Sequence, residues 1–83
     1  MSMGAHVGRL GALRRSQLDS FIREACLGEV DEYICRRYLI DHIPHIEIAG
    51  ELESRYGIRY DRCTVTRHWL RCKKKIESMI PSG

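Results

Sequence analysis

The hydrophobic residues in the second half of the chain recur at the spacing of two successive helices. In residues 47–56, the apolar and aromatic side chains gather on one side of a helix, so this side is predicted to face a core. In a second helix, which begins near Arg62, another apolar stripe recurs at steps of four, three and four residues and predicts a second buried face. The first stripe consists of Ile48, Ala49, Leu52 and Tyr56, and the second of Val65, Trp69, Cys72 and Ile76.

The connection between these two helices carries its own stop and start signals. Gly57 is predicted to end the first helix, because glycine adopts the left-handed conformation just past a helix C-terminus without steric cost. Ile58 is expected to close the turn through a hydrophobic contact. Asp61 is predicted to be the N-cap of the second helix, since its carboxylate can accept from the free amides of the first turn and complements the positive helix end.

Two more helices are predicted ahead of this pair. Ser16 and Asp19 suggest a capping box, and the amphipathic helix that follows is expected to end at Gly28. A second helix spans residues 30–42, where apolar residues cover more than one stripe, so it is either the central core helix or also part of a subunit contact. Pro44 marks the start of the next helix, where its missing amide costs nothing. The apolar positions of the first helix are Leu18, Phe21, Ile22, Ala25 and Cys26.

These elements predict an all-α fold, a small helical bundle of about four helices that contains a helix-turn-helix. A chain of 83 residues has room for one core, and a hydrophobic share of 43% with two prolines is typical of an ordered domain. Residues 16–80 are expected to form this single domain. Residues 1–15 contain three of the seven glycines and three arginines, and are expected to be a flexible basic arm.

Charge is segregated along the chain. Residues 16–57 hold four arginines against nine acids, whereas residues 58–83 hold seven basic residues against two acids, and such a distribution orients a protein toward a polyanion. No carboxylate occurs in residues 62–76. A positive helix of this width fits the major groove of DNA, where arginine can bond guanine and threonine can contact base edges. The candidate DNA contacts are Arg62, Thr64, Thr66, Arg67, His68, Arg71, Lys74 and Lys75.

Three short motifs carry a family resemblance: Glu47-Ile48-Ala49, Gly57-Ile58 and Thr64-Val65-Thr66-Arg67. Together they resemble trihelical helix-turn-helix domains, including sigma-factor region 4, transposase DNA-binding domains and small phage-encoded DNA-binding proteins, over residues 30–78. The resemblance implies that residues 62–71 are a recognition helix and that residues 44–56 support it across the DNA backbone. The stretch between Ala49 and Val65 is longer than in the repressor turn and is closer to transposase and phage proteins, although Asp61 and Cys63 stand where those often have serine.

The pattern and the resemblance lead to two functional hypotheses. The first is a DNA-binding protein, as in a small transcriptional regulator or the DNA-recognition subunit of a phage or mobile-element machine, acting on double-stranded DNA as a homo-oligomer. The second is a protein-interaction or assembly module with the same fold and no DNA binding. The subunit contact is expected within residues 16–42, with Leu70 as a further candidate. Its apolar residues would be Leu18, Phe21, Ile22, Tyr33, Tyr38 and Leu39.

The sequence contains few other candidates for metal-ligating or catalytic residues. The four cysteines lack the spacing of a structural zinc site, so no metal and no cofactor are expected. Cys26, Cys35 and Cys72 are predicted to be buried and Cys63 exposed. No phosphate loop or nucleophile motif suggests an enzyme. No membrane span or signal peptide is evident, and a cytoplasmic location is the expectation.

Overall fold

Four α-helices run through residues 8–81, the part of the chain that the computed structural model describes. They are α1 (Arg15–Ala25), α2 (Glu29–Leu39), α3 (His45–Tyr56) and α4 (Arg62–Met79), and a short 3-10 turn (Gly8–Ala12) precedes them. Helix α4 packs against each of the other three helices, and α2 does the same. The prediction of an all-α bundle of about four helices is therefore confirmed.

The core forms where the sequence pattern predicts it. The stripe of α4 is buried at all four positions, and Trp69 is only 1% exposed. In α3 the first three stripe residues are buried, while Tyr56 is half-buried at the edge, where its ring meets Tyr33 edge-on at 5.7 Å. Packing of these two stripes against each other fixes which side of α4 faces outward. The side chains that form this part of the core are Ile48, Ala49, Leu52, Val65, Trp69, Cys72 and Ile76.

Helix α2 is the central helix, which was one of its two predicted roles. Polar side chains on its surface reach each neighbour: Asp31 lies against α4, Arg36 pairs with Asp19 of α1, and Arg37 pairs with Glu51 of α3 at 2.6 Å. Hydrogen bonds from Arg37 hold the pKa of Glu51 below its ordinary value. Four apolar side chains of α2 are buried: Ile34, Cys35, Tyr38 and Leu39.

Most of the apolar side chains that suggested a subunit contact within residues 16–42 are buried inside the bundle. Because α2 is central, it needs apolar residues on more than one stripe to pack against several neighbours at once. The apolar side chains beyond a single stripe therefore pack inside the bundle. Only Phe21 and Tyr33 of the six predicted contact residues are partly exposed, and both still pack against the core. The other four, Leu18, Ile22, Tyr38 and Leu39, are buried.

Helix ends in the second half of the chain match the prediction. Gly57 adopts a left-handed φ of 68°, and its amide donates to the carbonyl of Glu53. The amide of Ile58 donates to the carbonyl of Leu52, which closes the turn. Asp61 accepts from the amide of Thr64 at 2.8 Å and is the N-cap of α4. These signals are local, so the sequence alone predicts them well.

Helix ends in the first half differ from the prediction. The capping box on Ser16 is absent, because α1 already begins at Arg15 and the amide of Arg14 donates to Oε1 of Gln17 at 2.8 Å. Helix α1 ends at Ala25, and α2 ends at Leu39. Cys26, predicted to be buried, caps α1 with a left-handed φ of 51° and is exposed.

The predicted flexible arm does not extend over residues 8–15. Leu10 is fully buried, and the 3-10 turn that carries it packs against α4. Leu13 is half-buried against the same core, and Arg15 is already helical. Burial of Leu10 stabilises this segment on the bundle. Residues 1–7 of the predicted arm lie outside the described residues.

Substituting two glycines by alanine is expected to change stability in opposite directions. Gly50 lies inside α3 with open space around a Cβ, so Gly50→Ala should raise the free energy of unfolding by roughly 0.5–1 kcal/mol through lower backbone entropy loss. Gly57→Ala should lower it by about 1 kcal/mol, because the left-handed conformation is strained for alanine. Urea denaturation measures both, and a stabilising Gly57→Ala would contradict the left-handed cap.

Candidate nucleic-acid interface

The outward side of α4 carries a cluster of exposed cations. Arg67, Arg71, Lys74 and Lys75 lie on this side, and all four are exposed. These four residues form the basic face. The positions follow from the buried stripe, because residues about half a turn away from it must point to solvent. Residues 62–76 contain no Asp or Glu, so no acid of the helix itself neutralises this face.

The cations of the basic face differ from the arginines of the rest of the bundle. Arg23 lies 3.2 Å from Asp19, Arg36 lies 2.9 Å from Glu32, and Arg59 lies 3.3 Å from Glu53. Within residues 8–81, by contrast, no ion pair joins any member of the basic face to a carboxylate. Most arginines in residues 15–60 are thus paired with acids, although Arg15 and Arg55 are not, whereas the basic face leaves its positive charge exposed to solvent.

The start of α4 is fixed by Asp61 and Thr64. The hydrogen bond from the Thr64 amide holds the pKa of the Asp61 carboxyl below its ordinary value, so this N-cap is ionised at neutral pH and complements the positive helix end. The Thr64 side chain is half-buried and lines a cleft of about 300 Å³ with Arg67, His68 and Arg71. This shallow cleft is the concave part of the surface around the basic face.

His68, a predicted DNA contact, lies against the bundle instead. Its Nδ1 is 2.8 Å from Oδ1 of Asp31, and its ring stacks on that of Tyr60 with the ring centroids 4.8 Å apart. Only 21% of the side chain is exposed. Nη2 of Arg71 lies 3.1 Å from the same Nδ1. His68 therefore does not present its ring outward with the basic face.

Thr66, another predicted contact, is also turned toward the bundle. Its Oγ1 donates to the backbone carbonyl of Arg62 at 3.0 Å and lies 2.7 Å from Nδ1 of His45 at the start of α3. At about 100° per residue, position 66 lies well away from Arg67 and close to the edge of the buried stripe. Arg62 is exposed but lies on this same flank, so the structure separates it from the basic face.

Arg59 is an exposed cation close to the start of α4 that the predicted set of DNA contacts did not include. Arg59 lies in the connection between α3 and α4, and 86% of its side chain is exposed. It pairs with Glu53, which sets it apart from the cations of the basic face. The sequence signal for Arg59 was its place in the basic segment 58–83, but nothing in its spacing relates it to a helix face.

The described residues contain no other centre of reactive chemistry. No group of three or more His, Cys, Asp or Glu side chains within residues 8–81 is arranged to hold a metal ion. Cys35 and Cys72 are buried, and burial raises the pKa of the Cys72 thiol to about 12, whereas Cys63 is exposed as predicted. Among the helices of this part of the chain, none has the length and apolar character needed to cross a membrane.

Neither a protein-family model, nor a curated protein, nor a solved structure matches the chain.

Proposed function

We propose that this protein binds double-stranded DNA through the basic face of α4. The observation that carries the proposal is the difference in ion pairing between the two parts of the bundle. Four of the six arginines in residues 15–60 pair with acids, the exceptions being Arg15 and Arg55, whereas the four cations of the basic face are exposed and form no ion pair with a carboxylate of the described residues. Unpaired cations concentrated on one helix face are the electrostatic signature of nucleic-acid binding.

The basic face has the shape and chemistry that the major groove requires. An α-helix fits into that groove, and a guanidinium can form two hydrogen bonds with the edge of guanine. We assign this role to Arg67 and Arg71, which lie on consecutive turns and flank the shallow cleft of α4. Lys74 and Lys75 follow toward the helix end and suit contacts with the phosphates, which fix position rather than sequence.

The helix pair α3 and α4 is proposed to act as the helix-turn-helix unit. Residues 57–61 join the two helices through the Gly57 cap and the Asp61 N-cap, and the helices pack against each other. The similarity of these residues to sigma-factor, transposase and phage domains extends the proposal to a small transcriptional regulator or a DNA-recognition subunit of a phage or mobile-element machine.

One observation favours the alternative, an assembly module without DNA binding. Leu70 lies beside the basic face on α4 and is 48% exposed, and an apolar side chain next to cations suits an acidic protein surface as well as a nucleic acid. Both kinds of contact weaken with salt, so a salt titration alone separates them poorly.

A gel-shift assay with random duplex DNA and a scrambled competitor tests the proposal. We expect binding even without the preferred sequence, with a dissociation constant on the order of 1–100 µM, because phosphate contacts supply the non-specific affinity. If four cations contact phosphates or nearby bases, the logarithm of the binding constant should fall with the logarithm of salt with a slope of roughly −3 to −4. Absence of any shift at low salt with folded protein would favour the assembly module.

A further inference from the structure

One large hydrophobic side chain lies among the cations on the outward side of α4. Leu70 is 48% exposed, and it belongs neither to the buried core nor to the partly buried side chains that pack against the core. At about 100° per residue, Leu70 lies about 60° around the helix from Arg67 and about 40° from Lys74, and it falls between them along the helix axis. Leu70 therefore borders the basic face and points away from the buried stripe of α4.

The position of Leu70 matters more than its exposure. An isolated exposed leucine is common on protein surfaces and by itself indicates no partner. Leu70, however, directly precedes Arg71 and lies within about one helical turn of Arg67 and Lys74. A helix that enters the major groove with these cations also brings Leu70 to the edges of the bases.

The major groove offers one apolar group to such a side chain. Its base edges present hydrogen-bond donors and acceptors, and the C5-methyl group of thymine is the exception. Leucine can neither donate nor accept a hydrogen bond, so packing it on a guanine or adenine edge would leave polar groups without partners. Packing it on the thymine methyl removes apolar surface of both molecules from water and carries no such penalty. Thymine is therefore the base that Leu70 fits.

We propose that Leu70 contacts the methyl group of a thymine and thereby sets part of the sequence preference, a role that rests on the DNA binding proposed above. Leu70 lies about 4.5 Å from Arg67 along the helix axis, close to the rise of about 3.4 Å between successive base pairs. For a helix that lies along the groove, this thymine is within about two base pairs of the guanine that Arg67 contacts.

Replacing thymine by uracil in a bound duplex tests the contact. Uracil pairs with adenine through the same hydrogen bonds as thymine and differs from it only in lacking the methyl group. A preferred duplex is first selected from a random-sequence pool with the unmodified protein, and each of its thymines is then replaced in turn. We expect at least one replacement to weaken binding about fourfold, which corresponds to the burial of one methyl group.

Protein variants show whether Leu70 makes this contact. Leu70→Ala should bind the thymine duplex about fourfold more weakly than the unmodified protein and should no longer distinguish thymine from uracil. Leu70→Met keeps a long apolar side chain and should remain sensitive to the methyl group. The matched control Ile46→Ala removes the other large hydrophobic side chain that is exposed within residues 8–81, on α3, and should also remain sensitive. Circular dichroism checks that each variant keeps its helicity.

The outcomes separate the role of Leu70 from DNA binding itself. Binding without a preferred sequence, binding that no thymine methyl affects, or an equal effect of uracil on the unmodified protein and on Leu70→Ala would overturn the role of Leu70 and leave DNA binding by the basic face in place. Loss of the methyl effect in Ile46→Ala would also overturn it, because the contact would then not be specific to Leu70. If the folded protein bound no duplex at all, both proposals would fail.

Discussion

Replacing Arg67 and Arg71 together by alanine is expected to weaken binding to the preferred DNA sequence by roughly 2–6 kcal/mol, since a good bidentate base contact contributes about 1–3 kcal/mol. The lower end already corresponds to a loss of affinity of about 30-fold. Both side chains are exposed and contribute nothing to the core, so the double variant should keep its melting temperature. Fluorescence anisotropy with a labelled duplex measures the affinity, and circular dichroism checks the fold.

A variant with the same change in net charge separates the basic face from charge in general. Arg23→Ala, Arg55→Ala removes two cations from the acidic body: Arg23 lies beside Asp19, and Arg55 lines a cleft with Glu47 and Glu51. We expect this control to bind DNA within a few-fold of the unmodified protein. Equal losses in both double variants would mean that net charge alone attracts DNA, and an unaffected Arg67→Ala, Arg71→Ala variant would exclude the basic face.

Truncating Trp69 to alanine is expected to lower the free energy of unfolding by about 3–5 kcal/mol, the usual cost of removing a buried aromatic side chain. Trp69 is 1% exposed, and its ring lies 4.9 Å from that of Tyr38, so its removal opens a cavity between α2 and α4. Such a loss is a large share of the stability of a small domain. Thermal and urea denaturation measure it.

Two further substitutions show whether Trp69 acts through packing. Its indole Nε1 is buried and finds no hydrogen-bond partner within residues 8–81, so Trp69→Phe loses packing area but no hydrogen bond and should retain most of the stability. Leu70→Ala, at the exposed neighbouring position, should change the free energy of unfolding by less than about 0.5 kcal/mol. If Trp69→Ala kept its melting temperature but lost DNA binding, Trp69 would be a contact residue instead of a core residue.

The sequence predicted those features of the fold that depend on neighbouring residues. The buried stripe of α4, the left-handed cap at Gly57 and the N-cap at Asp61 all follow from periodicity or from the chemistry of one residue and its own turn. The basic face follows for the same reason, because the side opposite a buried stripe must be exposed. Arg67 and Arg71 could therefore be assigned to it without a structure.

The orientations of His68 and Thr66 could not be predicted in this way. The partner of His68, Asp31, is 37 residues away in the sequence, and the partner of Thr66, His45, is 21 residues away. A helical repeat shows which residues share a face, but it does not show which side chains of other helices lie next to that face. Two positions near the edge of the buried stripe were consequently assigned to DNA contact, although the bundle itself binds them.

The error in the predicted arm has a related cause. Residues 1–15 contain two leucines among glycines and arginines, which is too few to define a helical repeat. Leu10 is buried because the bundle presents an apolar site on α4 for it, and that site exists only once the helices have packed. Tertiary contacts order this segment, so no local sequence pattern predicts that it packs on the bundle.

Helix α2 reaches each of its three neighbours with a polar side chain: Asp31 contacts α4, Arg36 contacts α1 and Arg37 contacts α3. If one helix detached alone, the partner of one of these contacts would lose its hydrogen bond or ion pair, and apolar surface would be exposed at the same time. Detachment of any single helix therefore has a high free-energy cost. We therefore expect residues 15–79 to unfold in one cooperative transition. In hydrogen exchange, the amides at the centres of all four helices should then be protected to a similar degree, since they would become accessible only when the whole bundle opens.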